Sequence, residues 1–287
     1  MLAVQLLVNG FVTGCALGVV AISFSLIYAT TKIFHVAHAG IYTLAGYLAW
    51  TFVSHGVPDI AALLLAIALG ALGGAAIQQF LYAPLERRKA THLVVLIASL
   101  GLLAVMQNII AAVYSANILQ FPVPWGSRMV AAGSIRLTWT QLLTAVLSLA
   151  AYAGTMWFAH RTILGKRIRA VASNPFLAEI TRLQPQAVYI YVLAIASAIV
   201  CLPGVLVPLD LGLQPYGGIT PLLTATIAMI AGGVGSISGA FALSVLIAEL
   251  QNLSLLVIPG EWSIGITFFI FVIFMLFRPT GLFTKAR

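Results

Sequence analysis

Two histidines, His35 and His38, stand three residues apart in a largely apolar stretch. On a helix that spacing would set both rings on one face. A metal centre would need further ligands, and no Asp, Glu or Cys lies nearby to supply them. Hydrogen bonding, in packing or along a permeation path, suits the pair better. Ser236 and Ser238 sit among glycines, as the nucleophile of a hydrolase would. A G-x-S-x-G elbow needs glycine at 234 or 236, and the chain has Val234 and Ser236 there. No G-x-x-x-x-G-K-S/T occurs either; Gly165-Lys166 comes nearest and lacks the upstream glycine. The residues therefore argue against an enzyme. If ATP drives this protein, another subunit binds it.

The elements that hold these residues are membrane helices. Hydrophobic residues make up 62% of the chain and the mean hydropathy is +1.09, which excludes a soluble domain. A net charge of +8 would suggest nucleic acid in a soluble protein. Here topology explains the sign, and no nucleic-acid partner is expected. Cys15 and Cys201 lie inside apolar runs and read as small packing residues. The first run, 2–29, is too long for a signal-peptide core and reads as a retained helix. Further runs follow near 35–53, 60–82, 93–116, 137–159, 187–207, 219–231, 239–258 and 263–277. The connectors 84–92, 161–186 and 278–287 hold eleven of the fourteen basic residues. Placing all three on the cytoplasmic side gives nine crossings, with the N-terminus outside and the C-terminus, marked by Arg278, Lys285 and Arg287, inside.

Two of the runs are short for a crossing. The 219–231 segment cannot cover about 30 Å of hydrocarbon at about 1.5 Å per residue, and 35–53 is marginal. Each adjoins a cluster of small residues: His35-Val36-Ala37-His38-Ala39-Gly40, and Gly232-Gly233-Val234-Gly235-Ser236-Ile237-Ser238-Gly239. Paired interrupted helices, one in each half, suggest an internal repeat of the kind transporters use. His38, Gly40, Gly233 and Ser236 are then expected beside the pathway or gate. The competing reading is close helix packing through glycine. Glu249 is the only acid inside an apolar run and lies near its outer end, beside Gln251 and Asn252, which suits a structural or entrance role. Asp210 and Glu261 fall in expected external connectors, where they could meet a binding protein.

The segment from Arg161 to Arg182 carries charge that the rest of the chain lacks, since only 7% of residues are charged. Asn174 before Pro175 has the chemistry of a helix cap followed by proline at the first helical position. That predicts a short helix over 175–183, standing at the cytoplasmic face. It could dock in a groove of a soluble partner, or its basic residues could meet anionic lipid headgroups.

Much of the chain resembles the branched-chain amino acid permeases, the membrane subunits of ABC importers, and is most similar to their LivH-type subunit. Six stretches carry the resemblance: Leu7-Val8-Asn9-Gly10 through Ile27-Tyr28; His35 to Ala49; Pro84-Leu85-Glu86-Arg87-Arg88 with Ala98-Ser99-Leu100-Gly101 and Gln107-Asn108; the 161–186 loop; Gly232 to Ala240; and Phe277-Arg278-Pro279-Thr280-Gly281-Leu282-Phe283. The family usually has Asn-Phe where this chain has His35-Val36, and glycine where it has Ala39. Its cytoplasmic loop closes on glycine and an aliphatic residue, where this chain has Arg182-Leu183.

The resemblance implies one all-α, polytopic permease domain over 1–287, with eight or nine crossings, in the inner (plasma) membrane. It implies transport of branched-chain amino acids, other amino acids or related small polar solutes. The partners it implies are a LivM-like second permease, two ABC ATPases holding ATP and Mg, and an external substrate-binding protein, with no cofactor on this chain. Lys166, Arg167, Arg169, Asn174, Pro175, Phe176, Glu179 and Arg182 would couple it to the ATPases. The alternative, a stand-alone ion-coupled secondary transporter, requires an ionisable residue at a helix centre. Glu249, close to an end, is the nearest approach to one.

Overall fold

The computed structural model describes residues 2–123, 125–126, 128–132, 135–278 and 281–283. Lys285, Arg287, Pro279 and Thr280, used above for topology and resemblance, lie outside the described residues. Twelve α-helices appear in chain order: α1 (Leu2–Thr31), α2 (His38–Ser54), α3 (Asp59–Ile77), α4 (Ala83–Arg87), α5 (His92–Tyr114), α6 (Trp139–Arg161), α7 (Ile163–Ser173), α8 (Pro175–Ile180), α9 (Pro185–Leu211), α10 (Ile219–Gly232), α11 (Ile237–Ser254) and α12 (Ser263–Phe277). A π-helical turn, Gln78–Tyr82, joins α3 to α4 without a break. Among the described residues seven spans are long and apolar enough to cross a membrane, and α10 is a shorter apolar helix. The fold is the all-α, polytopic one expected, with seven such spans among the described residues where eight or nine crossings were expected.

Side-chain caps set where several helices begin. Thr138 and Gln141 form a reciprocal capping box at α6, and Thr91 caps α5. Thr162 accepts from the Gly165 amide at α7, and Ser236 from the Gly239 amide at α11. Helix α1 is the hub and packs against α6, α9, α10 and α11. Its apolar window is 83% buried, against 6% for the final span, so α12 lies at the rim.

The short runs are interrupted helices, and the first differs in detail from expectation. His35 does not open a helix, because α2 begins at His38. Residues 32–37 turn back from the end of α1 in non-helical conformation. His38 then meets Ser23, eight residues before the α1 terminus, about 12 Å into the helix. Helix α10 starts equally deep. Gly218, just before it, packs against the Ala39 carbonyl and has no room for a side chain. The two helices diverge from this point. Trp50 near the end of α2 donates to the Gln120 carbonyl of the connector after α5, while Gly232 at the end of α10 accepts from the Phe283 amide.

The connector between α5 and α6 holds something the apolar pattern does not announce, a hairpin of β1 (Met129–Ala132) and β2 (Ile135–Thr138) paired antiparallel. Gln5 clamps it to α1, donating to the Arg136 carbonyl at 2.8 Å and accepting from the Arg136 amide at 2.8 Å. Trp125 donates to Asp59 at 2.7 Å on the same face.

Candidate functional site

Three regions contain the residues singled out above. The first is the basic segment, which folds as two helices, α7 and α8, where one short helix was expected. Ile168 and Val171 on α7 join Tyr82, Val95, Val188 and Val192 in one apolar cluster that mounts the pair on the bundle. Asn174 caps α8 by accepting from the Leu177 amide at 3.1 Å, and Pro175 follows at the first helical position, as the sequence implied. The helix ends at Ile180, earlier than expected. Arg182 adopts a left-handed backbone, φ 62°, and the Leu183 amide reaches back to the Ala178 carbonyl. That is the geometry of a Schellman stop, which favours glycine. Arg182 thus stands where the resemblance calls for glycine, and a left-handed residue closes the helix there all the same.

All eight residues assigned to coupling are exposed: Lys166, Arg167, Arg169, Asn174, Pro175, Phe176, Glu179 and Arg182. Phe176 is 70% exposed and Ile180 65%, one turn apart on α8, with Leu177 at 57% beside them. Sequence reasoning named Phe176 but missed Leu177 and Ile180. Their exposure depends on which face α8 turns to the bundle, and Ala178 alone is buried.

The second region surrounds the start of α2. His35 and His38 are both fully buried, with ring centroids 5.5 Å apart. Ser23 donates to the Val20 carbonyl, so its oxygen takes the His38 Nε2–H at 2.9 Å. Tyr82 donates to Ser99 Oγ at 2.9 Å and takes the His35 Nδ1–H at 2.6 Å. Ser99 Oγ also accepts from the Ala37 amide at 3.0 Å. The re-entrant segment is thereby tied to α1, to the π-helical turn and to α5. Among the described residues no three His, Cys, Asp or Glu side chains group as metal ligands. Tyr82 and Ser23 went unnoticed in the sequence and Ser99 was quoted only for the resemblance, since 47 residues separate His35 from Tyr82 and 62 separate Ala37 from Ser99. Tyr82→Phe strips the acceptor from a buried His35 N–H, a loss of about 1–3 kcal/mol. The expected result is a lower thermal unfolding midpoint in detergent; an unchanged midpoint would show that the network adds nothing.

Gly40, half a turn beyond His38, faces Met106, whose Sδ would lie 2.8 Å from any added Cβ. Gly233 ends α10 with φ 104°. Gly232 and Gly239 touch backbone to backbone, so the ends of α10 and α11 meet with no space between them for side chains. Ser236 caps α11 and opens onto a cavity.

The third region is that cavity and another at the opposite end. One cavity, about 420 Å³ and called outer for the sidedness expected from the basic connectors, runs from Asn9, Gln141 and Asp210 at its rim down to Val20, Tyr42 and Thr224. Asp210, expected in a connector, lies at the end of α9. It accepts from Thr138 Oγ1 at 2.9 Å, Thr140 Oγ1 at 3.0 Å and Gln141 Nε2 at 3.0 Å. Tyr42 is one turn beyond His38, so the histidine network stands directly behind the cavity floor. Gln251 and Asn252 also line it, and Gln251 bonds to the Ser263 carbonyl and to Thr267 on α12. Glu249 turns instead toward α1, where it packs against Gly10. Glu261 lies in a single 3-10 turn before α12. The inner cavity, about 610 Å³, lies among α1, α6, α7 and the start of α11. Tyr152 of α6 and Phe241 of α11 stack at 4.3 Å in the core.

A bundle with this architecture has relatives among known transporters. The chain is 24% identical over 297 residues to the high-affinity branched-chain amino acid transport system permease protein BraD of Pseudomonas aeruginosa, covering 99% of this chain and 96% of that one. It is 23% identical to the corresponding protein LivH of Escherichia coli over 298 residues, with the same coverage. The xylose transport system permease protein XylH of Escherichia coli is 31% identical over 118 residues, 38% of this chain and 30% of that one. The solved structure of PsaBC from Streptococcus pneumoniae in complex with Fab has the same fold, with TM-score 0.53 over 95% of this chain and 91% of that chain, at 13% identity. Residues 6–275 match the family described as the permease component of branched-chain amino acid transport systems, and the chain belongs to that family.

Proposed function

We propose that this chain is one of two membrane subunits of an ATP-driven importer of branched-chain amino acids or a related small polar solute. The observation that carries this is the α7–α8 unit, a capped helix with Phe176, Leu177 and Ile180 turned outward on a buried mount. The ridge stands on a folded unit that also carries Lys166, Arg167 and Arg182, and such a unit fits a groove in a soluble protein. The partner is an ABC ATPase, two of which bind ATP and Mg and close on each other. ATP favours the closed dimer, and that preference biases the membrane subunits between outward-open and inward-open states. A second permease subunit, LivM-like, completes the pathway, and a substrate-binding protein delivers solute at the outer rim near Asp210. This chain contributes passage and coupling, and does no chemistry itself. The protein resides in the inner (plasma) membrane with its C-terminus cytoplasmic, the side given by the basic connectors.

Ser236 lines the inner cavity and Gly233 immediately precedes its lining residue Val234, while His38 and Gly40 lie on the same helix as Tyr42 of the outer one. The test of the assembly is purification of the tagged chain from its native membranes, with its partners identified by mass, followed by reconstitution in vesicles. ABC ATPases should copurify, and leucine uptake should require ATP. A chain that purifies alone and takes up solute on a proton or sodium gradient would be a secondary transporter, and the proposal would fail. Ser236→Cys, in a background lacking Cys15 and Cys201, is expected to react with a membrane-impermeant thiol reagent from the cytoplasmic side only. Labelling from outside would invert the topology.

A further inference from the structure

The inner cavity is charged in a way the docking role does not explain. Lys32, His160 and Arg169 line it, from the ends of α1 and α6 and from α7, and none of its described lining residues is acidic. Arg169 Nη1 lies 3.4 Å from His160 Nδ1. Since Arg can only donate, His160 accepts there and carries its proton on Nε2, which has no partner among the described residues. Ser25, Ser236 and Ser238 add hydroxyls to the same wall. Ser236 also brings in the amino end of α11, an 18-residue helix whose dipole is positive at this end. Deeper in, Leu26, Met156 and Phe158 make an apolar wall. A volume of about 610 Å³ lies within the range usual for small-molecule sites. Cationic donors at the rim over an apolar floor fit a carboxylate carrying a short aliphatic tail.

We propose that this cavity is a binding site for a small aliphatic carboxylate on the inner face, held by Arg169, Lys32 and the Nε2–H of His160. The identity of the ligand rests on the amino acid permease reading. The occupant would be the solute just released, or its accumulated pool. Arg169 belongs to α7, which continues through Asn174 into α8, so an occupied cavity pulls on the same rigid unit that carries the docking ridge. The site therefore places cytoplasmic solute where it can report on coupling.

The experiment measures binding to the purified full chain in nanodiscs of uncharged lipid, by calorimetry. Isovalerate and L-leucine should bind, and leucinamide, which lacks the carboxylate, should not. Arg169→Gln and Lys32→Gln should each weaken isovalerate by roughly tenfold or more, the usual effect of losing one charge-assisted hydrogen bond. Arg169→Lys should recover part of the loss. Gel filtration and an unchanged melting midpoint show whether the variants remain folded. Equal binding by the wild type and both folded variants would overturn the site. So would no isovalerate binding in uncharged lipid together with saturable binding of phosphatidylglycerol added in detergent, which would make the site one for lipid phosphate. Because the assay needs no ATPase, it can fail while ATP-driven uptake stands, and the reverse.

Discussion

Replacing Pro175 and Phe176 together with glycine is expected to leave the protein in the membrane and the proposed ATPase partners running, while uptake falls to background. Proline presets the first helical turn behind the Asn174 cap, and Phe176 is the most exposed apolar side chain on α8. Two glycines take the most exposed side chain out of the ridge and weaken the turn that presents the rest, since glycine costs about 1 kcal/mol per helical position. Neither side chain is buried in the bundle, so the fold does not depend on them. The measurement is ATP hydrolysis and solute uptake in the same vesicles. Coupled uptake at the wild-type rate would show that α8 does not carry the contact.

Gly239→Leu should have an effect of comparable size on a different property. A side chain at 239 would run into the Gly232 carbonyl, and the wall there is backbone. Overpacking costs about 1–3 kcal/mol where neighbouring side chains can give way. Here they cannot, and the amino end of α11 would have to part from α10. Little folded protein should reach the membrane, as read by fluorescence-detected gel filtration. Gly154→Leu, on α6 with open space around it, should be tolerated and serves as the control. Normal yield of Gly239→Leu would show that the two helix ends are free to separate.

Helix positions were readable in the sequence because lipid allows few alternatives. Apolar runs of spanning length must be helices, and their observed ends fall close to those of the runs, from the 2–29 run within α1 to the 263–277 run of α12. Asn174 and Pro175 were equally legible, since a cap is a local matter of neighbouring residues. What lay hidden was whatever depends on distant partners. Tyr82 meets His35 only because a π-helical turn, with its extra residue, rotates it inward. The hairpin at 129–138 holds through Gln5, more than 120 residues earlier. Arg169 read as one cation among several in a basic loop. Only once α7 is a helix packed on α6 does it reach the cavity beside His160. The glycine cluster at 232–239 was legible as significant, but the sequence alone left its role open between pathway and packing.

Helices α2 and α10 begin side by side inside the bundle and run to opposite faces. Each brings the positive end of its dipole to that point, equivalent to about half an elementary charge. A sodium ion or hydronium arriving at this level meets both ends together and is repelled by both, much as paired half-helix dipoles bar cations in selective pores. A zwitterion carries its own counter-charge and does not meet the same barrier. The interrupted helices thus act as insulation. On the proposed route, this insulation would let a solute pass without discharging the ion gradients of the membrane.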